Sequence, residues 1–268
     1  MLKLKRLAGK SAKSSSVGGP ILSLQQVSHR FGPVTALSDV DLAIYAGQIV
    51  GLIGASGAGK STVLQLFNGT LQPTAGKVWA WGQPLQQRSD RRTRQQIGTI
   101  YQQLHLVPSL RVIHNVNAGH LGRWPFWKAA ASLLWPLEVE TVTAALARVG
   151  IPDKLYARTD QLSGGQQQRV AIARVLVQDP AVILADEPIA SLDPERSHDI
   201  MRLLRALVRE RGKTLVVSLH GVEYAKQYCD RIIGLQQGQI LFDVPAQEIT
   251  PAMLNQLYHL EKHASLSN

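Results

Sequence analysis

Cysteine is nearly absent from this sequence: Cys229 is the only one in 268 residues. A lone thiol has no partner within the chain, which excludes a disulfide framework and fits a reducing compartment. Long apolar runs are missing as well. No stretch of 18 or more consecutive apolar residues occurs, so no segment reads as a bilayer-spanning helix. The first twenty residues carry Lys3, Lys5, Arg6, Lys10 and Lys13 without the apolar core of a secretory leader, so a cytoplasmic chain is expected. Acidic residues are in deficit, 19 against 29 Lys and Arg, for a formal charge of +10. That surplus points to an anionic partner (nucleic acid, a membrane surface or a phosphorylated ligand) without choosing among them. What remains is ordinary for a folded protein. A hydrophobic fraction of 45% with 18% charged residues excludes wholesale disorder, and the length suits one large domain.

Residues 1–20 read as a flexible basic tail, 21–258 as a folded domain and 259–268 as a short C-terminal tail. Short β-like runs begin at Ile21: ILSLQQV, VDLAI and the apolar QIVGLIG. A helix is expected from Lys60, with Leu64, Phe67 and Leu71 inward. KVWAWG reads as a strand ending in a turn. Arg88, Arg91, Arg92 and Arg94 then crowd a polar connector before the strand IGTIYQ. From about Leu104 to Asp160 the pattern is mainly helical, broken at Pro108, Pro125, Pro136 and Pro152, and Gly164–Gln178 forms one helix with Val170, Ile172, Ala173 and Leu176 inward. AVILAD and TLVVSLH are apolar runs suited to the centre of a parallel sheet. His198–Arg211 and a segment through Tyr224 to Tyr228 are helical, and RIIGLQQGQILFD is a hairpin around Gly238. Strands alternating with helices imply an α/β core, interrupted by a helical insert at about 104–178.

Two motifs carry chemistry. Gly54-Ala55-Ser56-Gly57-Ala58-Gly59-Lys60-Ser61 matches G-x-x-x-x-G-K-[ST] in full, after a strand and before a helix. Such a loop wraps a polyphosphate with backbone N–H groups at the positive end of a helix. Lys60 is expected to reach the β- and γ-phosphates, Ser61 to ligate Mg²⁺ and Thr62 to donate to the α-phosphate. The second motif is Asp186-Glu187, closing the run AVILA. A carboxylate at the C-terminal end of a core strand faces the crevice where α/β folds bind ligands. Asp186 is expected to hold Mg²⁺, and Glu187 to take a proton from the attacking water.

Leu162-Ser163-Gly164-Gly165-Gln166 opens a helix twenty residues before Asp186. In this order, between a phosphate loop and a DE pair, the chain resembles the ATP-binding-cassette (ABC) ATPases from about Ile21 to Tyr258. The resemblance implies the ABC fold: a mixed α/β core, an antiparallel β subdomain and an inserted helical subdomain. It implies that Phe31 stacks on adenine, Gln102 serves as the Q-loop glutamine that also contacts the metal, Asp193 belongs to the D-loop, and His220 is the switch histidine. Phe31 as a core aromatic and Gln103 in place of Gln102 stay open alternatives. Gly221 stands where many members carry an acidic residue. The resemblance further implies ATP and Mg²⁺ as ligands and a head-to-tail homodimer, in which residues 162–166 of one subunit cap the γ-phosphate held by the other.

QQLHLVPSLRVIHNVNAGHLGR, VSLHGVEYAKQYCDRIIGLQQGQI and ILADEPIASLDP are similar to the ATP-binding subunits of phosphonate-type importers. That similarity implies two transmembrane permease subunits, an extracytoplasmic solute-binding protein, and peripheral attachment at the cytoplasmic face of the plasma membrane. It also implies a phosphonate or a related phosphorus oxyanion as the solute, with another solute as the alternative. A nucleic-acid role is disfavoured by the missing coiled-coil insert, and a GTPase by the missing N-K-x-D. The aromatic-rich WPFWKAAASLLWPL is expected either to pack the helical subdomain or to receive a permease helix. The basic tail and arginine cluster are either solvated or close to anionic lipid.

Overall fold

The computed structural model describes residues 18–85 and 91–259. Most of the N-terminal basic segment, Arg88 and residues 260–268 therefore lie outside the described residues. The strands are β1 (Leu22–Phe31), β2 (Val34–Ile44), β3 (Ile49–Ile53), β4 (Ala75–Ala80), β5 (Gln83–Pro84), β6 (Ile97–Ile100), β7 (Val182–Asp186), β8 (Thr214–Leu219), β9 (Arg231–Gln236) and β10 (Gln239–Pro245). The helices are α1 (Lys60–Phe67), α2 (Arg91–Gln95), α3 (Val112–Asn117), α4 (Phe126–Leu134), α5 (Val139–Arg148), α6 (Gly164–Gln178), α7 (Pro194–Glu210), α8 (Val222–Tyr228) and α9 (Pro251–His259).

Two sheets result. The larger has the order β10-β9-β3-β8-β7-β6 and the smaller, antiparallel throughout, β2-β1-β4-β5. Strands β9, β3, β8, β7 and β6 run parallel and β10 is the antiparallel edge. Side-chain alternation divides the core in two. Ile49, Ile53, Ile183, Leu215 and Val217 join the helical insert and α7 through Ile113, Leu146, Val170 and Leu204. Val50, Leu52, Leu184 and Val216 pack instead with Leu64 and Phe67 of α1 and with Leu22, Leu42 and Val78 of the small sheet. Burial on both faces explains why β3, β7 and β8 read as unbroken apolar runs.

The insert between β6 and β7 contains α3 to α6 and is tied back to the sheet by polar contacts. Gln178 at the end of α6 donates to the carbonyls of Gln95 and Ile97 at 3.2 and 3.0 Å. Arg174 donates to the carbonyls of Leu104 and His105 at 2.8 and 2.9 Å, holding the segment that follows β6.

Several sequence expectations need correction. Helix α1 stops at Phe67, where Asn68 caps it, so Leu71 lies past its end and is half-buried. Leu176 packs against the core but is only half-buried, whereas Val175 and Val177 are fully within it. Helix α7 starts at Pro194, because Asp193 supplies an N-cap and Pro194 a preset φ at the first position. Residues 104–111 are irregular and turn rather than helical, the polar connector includes the short helix α2, and the helix α9 had no expectation. Of the four aromatic side chains in the segment 124–137, Trp124 is buried and the other three are exposed. Phe126 and Trp127 are 89% and 71% exposed, and Trp135 also faces out, so packing of the subdomain does not account for them.

Cys229 lies under β3, with its Sγ 3.0 Å from where a Cβ on Gly51 would stand. Burial and then the nearby Asp230 push its thiol up to about 12. Only thiolate attacks a disulfide reagent, so native labelling at pH 8 should be about a thousandfold slower than in denaturant. Equal rates in the two states would show that this thiol is not held in the core.

Candidate functional site

Strand β3 is completely buried and delivers the loop 54–59 to the start of α1. Two glycines let the loop take its path. Gly54 has φ +148°, and a Cβ there would stand 2.1 Å from the carbonyl oxygen of Leu235. Gly59, the N-cap of α1, has φ +105° and would meet the Ala36 carbonyl at 2.8 Å. The turn of the β9–β10 hairpin props the loop from outside: Gly238 N–H donates to Ala58 O at 3.1 Å, and Ser38 N–H to Gly238 O at 2.9 Å.

Lys60 is buried, and its ammonium donates to the carbonyls of Gly54 and Ala55, each at 2.8 Å. A buried cation requires such partners. Ser56 and Gly57 are exposed at the loop crest, Ala55 and Ser61 are half-buried, and Thr62 is buried.

The strand order brings the second motif to the first. Ser61 Oγ donates to Asp186 Oδ1 at 3.0 Å, and Ser218 Oγ donates to the same oxygen at 2.7 Å. Glu187 follows in the left-handed region at φ +48°, a conformation unusual for this residue type. Its N–H donates to Ser218 Oγ at 2.8 Å. One carboxylate oxygen of Glu187 accepts from Gln102 Nε2 at 3.0 Å, and the other contacts His220 Nε2. Gln102, rather than Gln103, makes this contact. Thus Gln102, Asp186, Glu187, His220 and Ser61 converge at the C-terminal ends of β6, β7, β8 and β3. Apart from the His220 imidazole, the donors available to a cation are hard oxygens, which suits Mg²⁺ better than a soft metal. Among the described residues no group of three or more His, Cys, Asp or Glu forms a cage, so such a cation would keep water or phosphate ligands.

The remaining expected residues lie elsewhere. Ser163 caps α6 in a reciprocal box with Gln166: Ser163 N–H donates to Gln166 Oε1 at 3.0 Å and Gln166 N–H to Ser163 Oγ at 3.4 Å. Leu162 is buried beneath it, and the cavity beside Ser163 and Gly165 is lined by Arg196 and Asp199 of α7, not by the phosphate loop. Gly164 opens the helix, leaving its first N–H groups at an exposed surface. Asp193 accepts from Arg196 N–H at 3.0 Å as the cap of α7. Phe31 is 49% exposed and meets His29 edge-on, 4.6 Å between ring centroids, which removes the core-aromatic alternative. Ser218 had no expected role. Its only sign in the sequence is a hydroxyl within the apolar run TLVVSL.

A phosphate loop on an inner strand of a parallel sheet, a carboxylate pair two strands away across β8 and an inserted helical unit define a P-loop nucleotide-binding domain. The family profile described as ABC transporter matches residues 37–190. The phosphonates import ATP-binding protein of Pseudomonas syringae pv. syringae is 45% identical over 91% of this chain and 91% of its own. A protein of the same description from Anaeromyxobacter dehalogenans is 46% identical over 97% of this chain, which spans 52% of that longer relative. Among solved structures, cbiO1 from Clostridium perfringens, part of an ABC transporter complex, superposes with a TM-score of 0.75 at 28% identity, covering 92% of this chain and 99% of that one. A dimeric ATP-binding cassette bound to ADP and Pi superposes at 0.71 and 32% identity, covering 85% and 100%. The chain belongs to the ABC transporter family, among its ATP-binding cassettes.

The loop's path gives a stability prediction. Gly54→Ala should lower the unfolding free energy by about 3 kcal/mol, because strand β9 must yield and the backbone is strained. Urea unfolding measures this; a change under about 1 kcal/mol would mean the loop adapts freely.

Proposed function

We propose that this chain hydrolyses ATP to energise an importer of phosphonates or a related phosphorus oxyanion such as phosphite or phosphate. The observation that carries the ATPase reading is the convergence of Ser61, Asp186, Glu187, Gln102 and His220 beside the loop 54–61. The solute is supported by the names of the relatives at 45–46% identity; an importer for a different solute is the alternative. The cassette takes in residues 21–258, with the helical insert at about 104–178.

The loop N–H groups of Gly54 to Ser61 and the start of α1 bind the triphosphate, and Phe31 stacks on the adenine. Lys60 exchanges the carbonyls of Gly54 and Ala55 for β- and γ-phosphate oxygens, and Thr62 contacts the α-phosphate. Ser61, Asp186 and Gln102 would hold Mg²⁺, which neutralises charge on the phosphates when bound. Glu187 accepts a proton as water attacks the γ-phosphorus and the bond to the β–γ bridging oxygen breaks, releasing ADP and phosphate. His220 holds the γ-phosphate. Gln102 and His220 both engage the Glu187 carboxylate, so γ-phosphate and water must enter between them.

A second copy completes the site. The exposed start of α6 presents N–H groups and partial positive charge, and Ser163 to Gln166 of one copy cap the γ-phosphate held by the other, with Asp193 at the seam. The exposed Phe126, Trp127 and Trp135 support contact between the helical insert and a permease subunit. Two permeases and an extracytoplasmic solute-binding protein complete the importer, with this chain at the cytoplasmic membrane face. Nucleic acid has no part in this reading. No helix among the described residues is long and apolar enough to cross a membrane.

Glu187→Gln should keep ATP affinity while hydrolysis falls about 10²–10⁴-fold, the usual effect of losing a general base. Lys60→Ala should instead weaken ATP binding itself. Equilibrium binding and steady-state turnover separate the two, and wild-type turnover in Glu187→Gln would refute the base assignment.

A further inference from the structure

We propose that Ser218 is a positioning residue for ATP hydrolysis, its single hydroxyl fixing Asp186 and Glu187 together. The proposal rests on the roles given to that pair above. Strand β8 is otherwise apolar near this point: Leu215, Val216, Val217 and Leu219 are buried, and Ser218 itself is fully buried. A hydroxyl there is unfavourable unless its hydrogen-bonding capacity is used. Both functions of this one are. It donates to Asp186 Oδ1 at 2.7 Å and accepts from Glu187 N–H at 2.8 Å. The directions are fixed, because a carboxylate only accepts and an amide N–H only donates.

Register accounts for the reach. Ser218 is the partner of Asp186 across β7–β8 and of Leu52 across β3–β8. Val217 and Leu219 point to the helical side of the sheet, so Ser218 faces α1. From there Ser61 makes its own bond to the same Asp186 oxygen. One end of the hydroxyl therefore orients a carboxylate expected at the metal. The other end holds the peptide of a glutamate whose φ of +48° is otherwise rarely populated. The Glu187 carboxylate is then aimed at Gln102 and at His220, the residue directly after β8. A serine needed only for packing would be replaced by alanine or valine without kinetic consequence.

The test compares Ser218→Ala, Ser218→Val and Ser218→Thr in the full-length chain, with turnover expressed per titrated ATP-binding site. Partners that orient metal ligands typically contribute 10–100-fold, so alanine and valine should lower kcat by about that factor and raise the Mg²⁺ half-saturation about tenfold. KM for ATP should stay within about threefold, since the phosphate loop is untouched. Threonine keeps the hydroxyl in the shape of valine and should recover about a third or more of wild-type kcat. Alanine or valine turnover within about threefold of wild type per binding site would overturn the proposal. So would a loss that only follows the number of competent sites. Where threonine does not fit the core, the alanine result decides alone. Glu187→Gln serves as the control. Retained hydrolysis there would refute the underlying role of the pair, whereas lost hydrolysis there with normal Ser218→Ala would refute only the role of Ser218.

Discussion

The hydrogen bond from Ser61 to Asp186 joins residues 125 positions apart in sequence, and the rest of the site is arranged around it. It forms only because a single strand, β8, separates β3 from β7, which sets the phosphate loop and the DE pair on the same edge of the sheet on either side of the end of β8. Burial on both faces keeps those strands in register: a one-residue slip would turn their apolar side chains toward the wrong core. The two hydrophobic clusters thus stabilise the fold and also set the spacing between a hydroxyl and a carboxylate.

The same logic extends outward from that bond. The β9–β10 turn braces the loop through Gly238, so a hairpin at the sheet edge fixes the backbone proposed to accept phosphate. Arg174 and Gln178 fasten α6 to the segment on either side of β6, just before and after Gln102. Helix α6 also begins at Ser163. One helix therefore runs from the proposed partner-facing end to the strand that leads to Gln102, linking the helical insert to the proposed site.

Much of this was legible in the sequence, for identifiable reasons. Buried parallel strands must be apolar on both faces, so AVILAD and TLVVSLH announced β7 and β8. The Gly-rich loop announced itself because few residue types fit its backbone, as Gly54 and Gly59 show. The family reading, built from the order of loop, LSGGQ and DE pair, agrees with the ABC transporter match. What escaped was set by tertiary context. Helix α1 ends at Phe67 rather than running on to Leu71, and Phe126 and Trp127 face outward despite their hydrophobicity. Ser218 escaped for a different reason: its meaning depends on which strand lies beside β8, and one hydroxyl in an apolar run does not reveal that.

In the proposed assembly ATP is enclosed between the phosphate loop of one copy and the α6 start of another. Light scattering on Glu187→Gln with saturating MgATP tests it most directly. A species of twice the 29.3 kDa chain mass should form and disappear when nucleotide is removed. A single-chain mass at full ATP occupancy would contradict it.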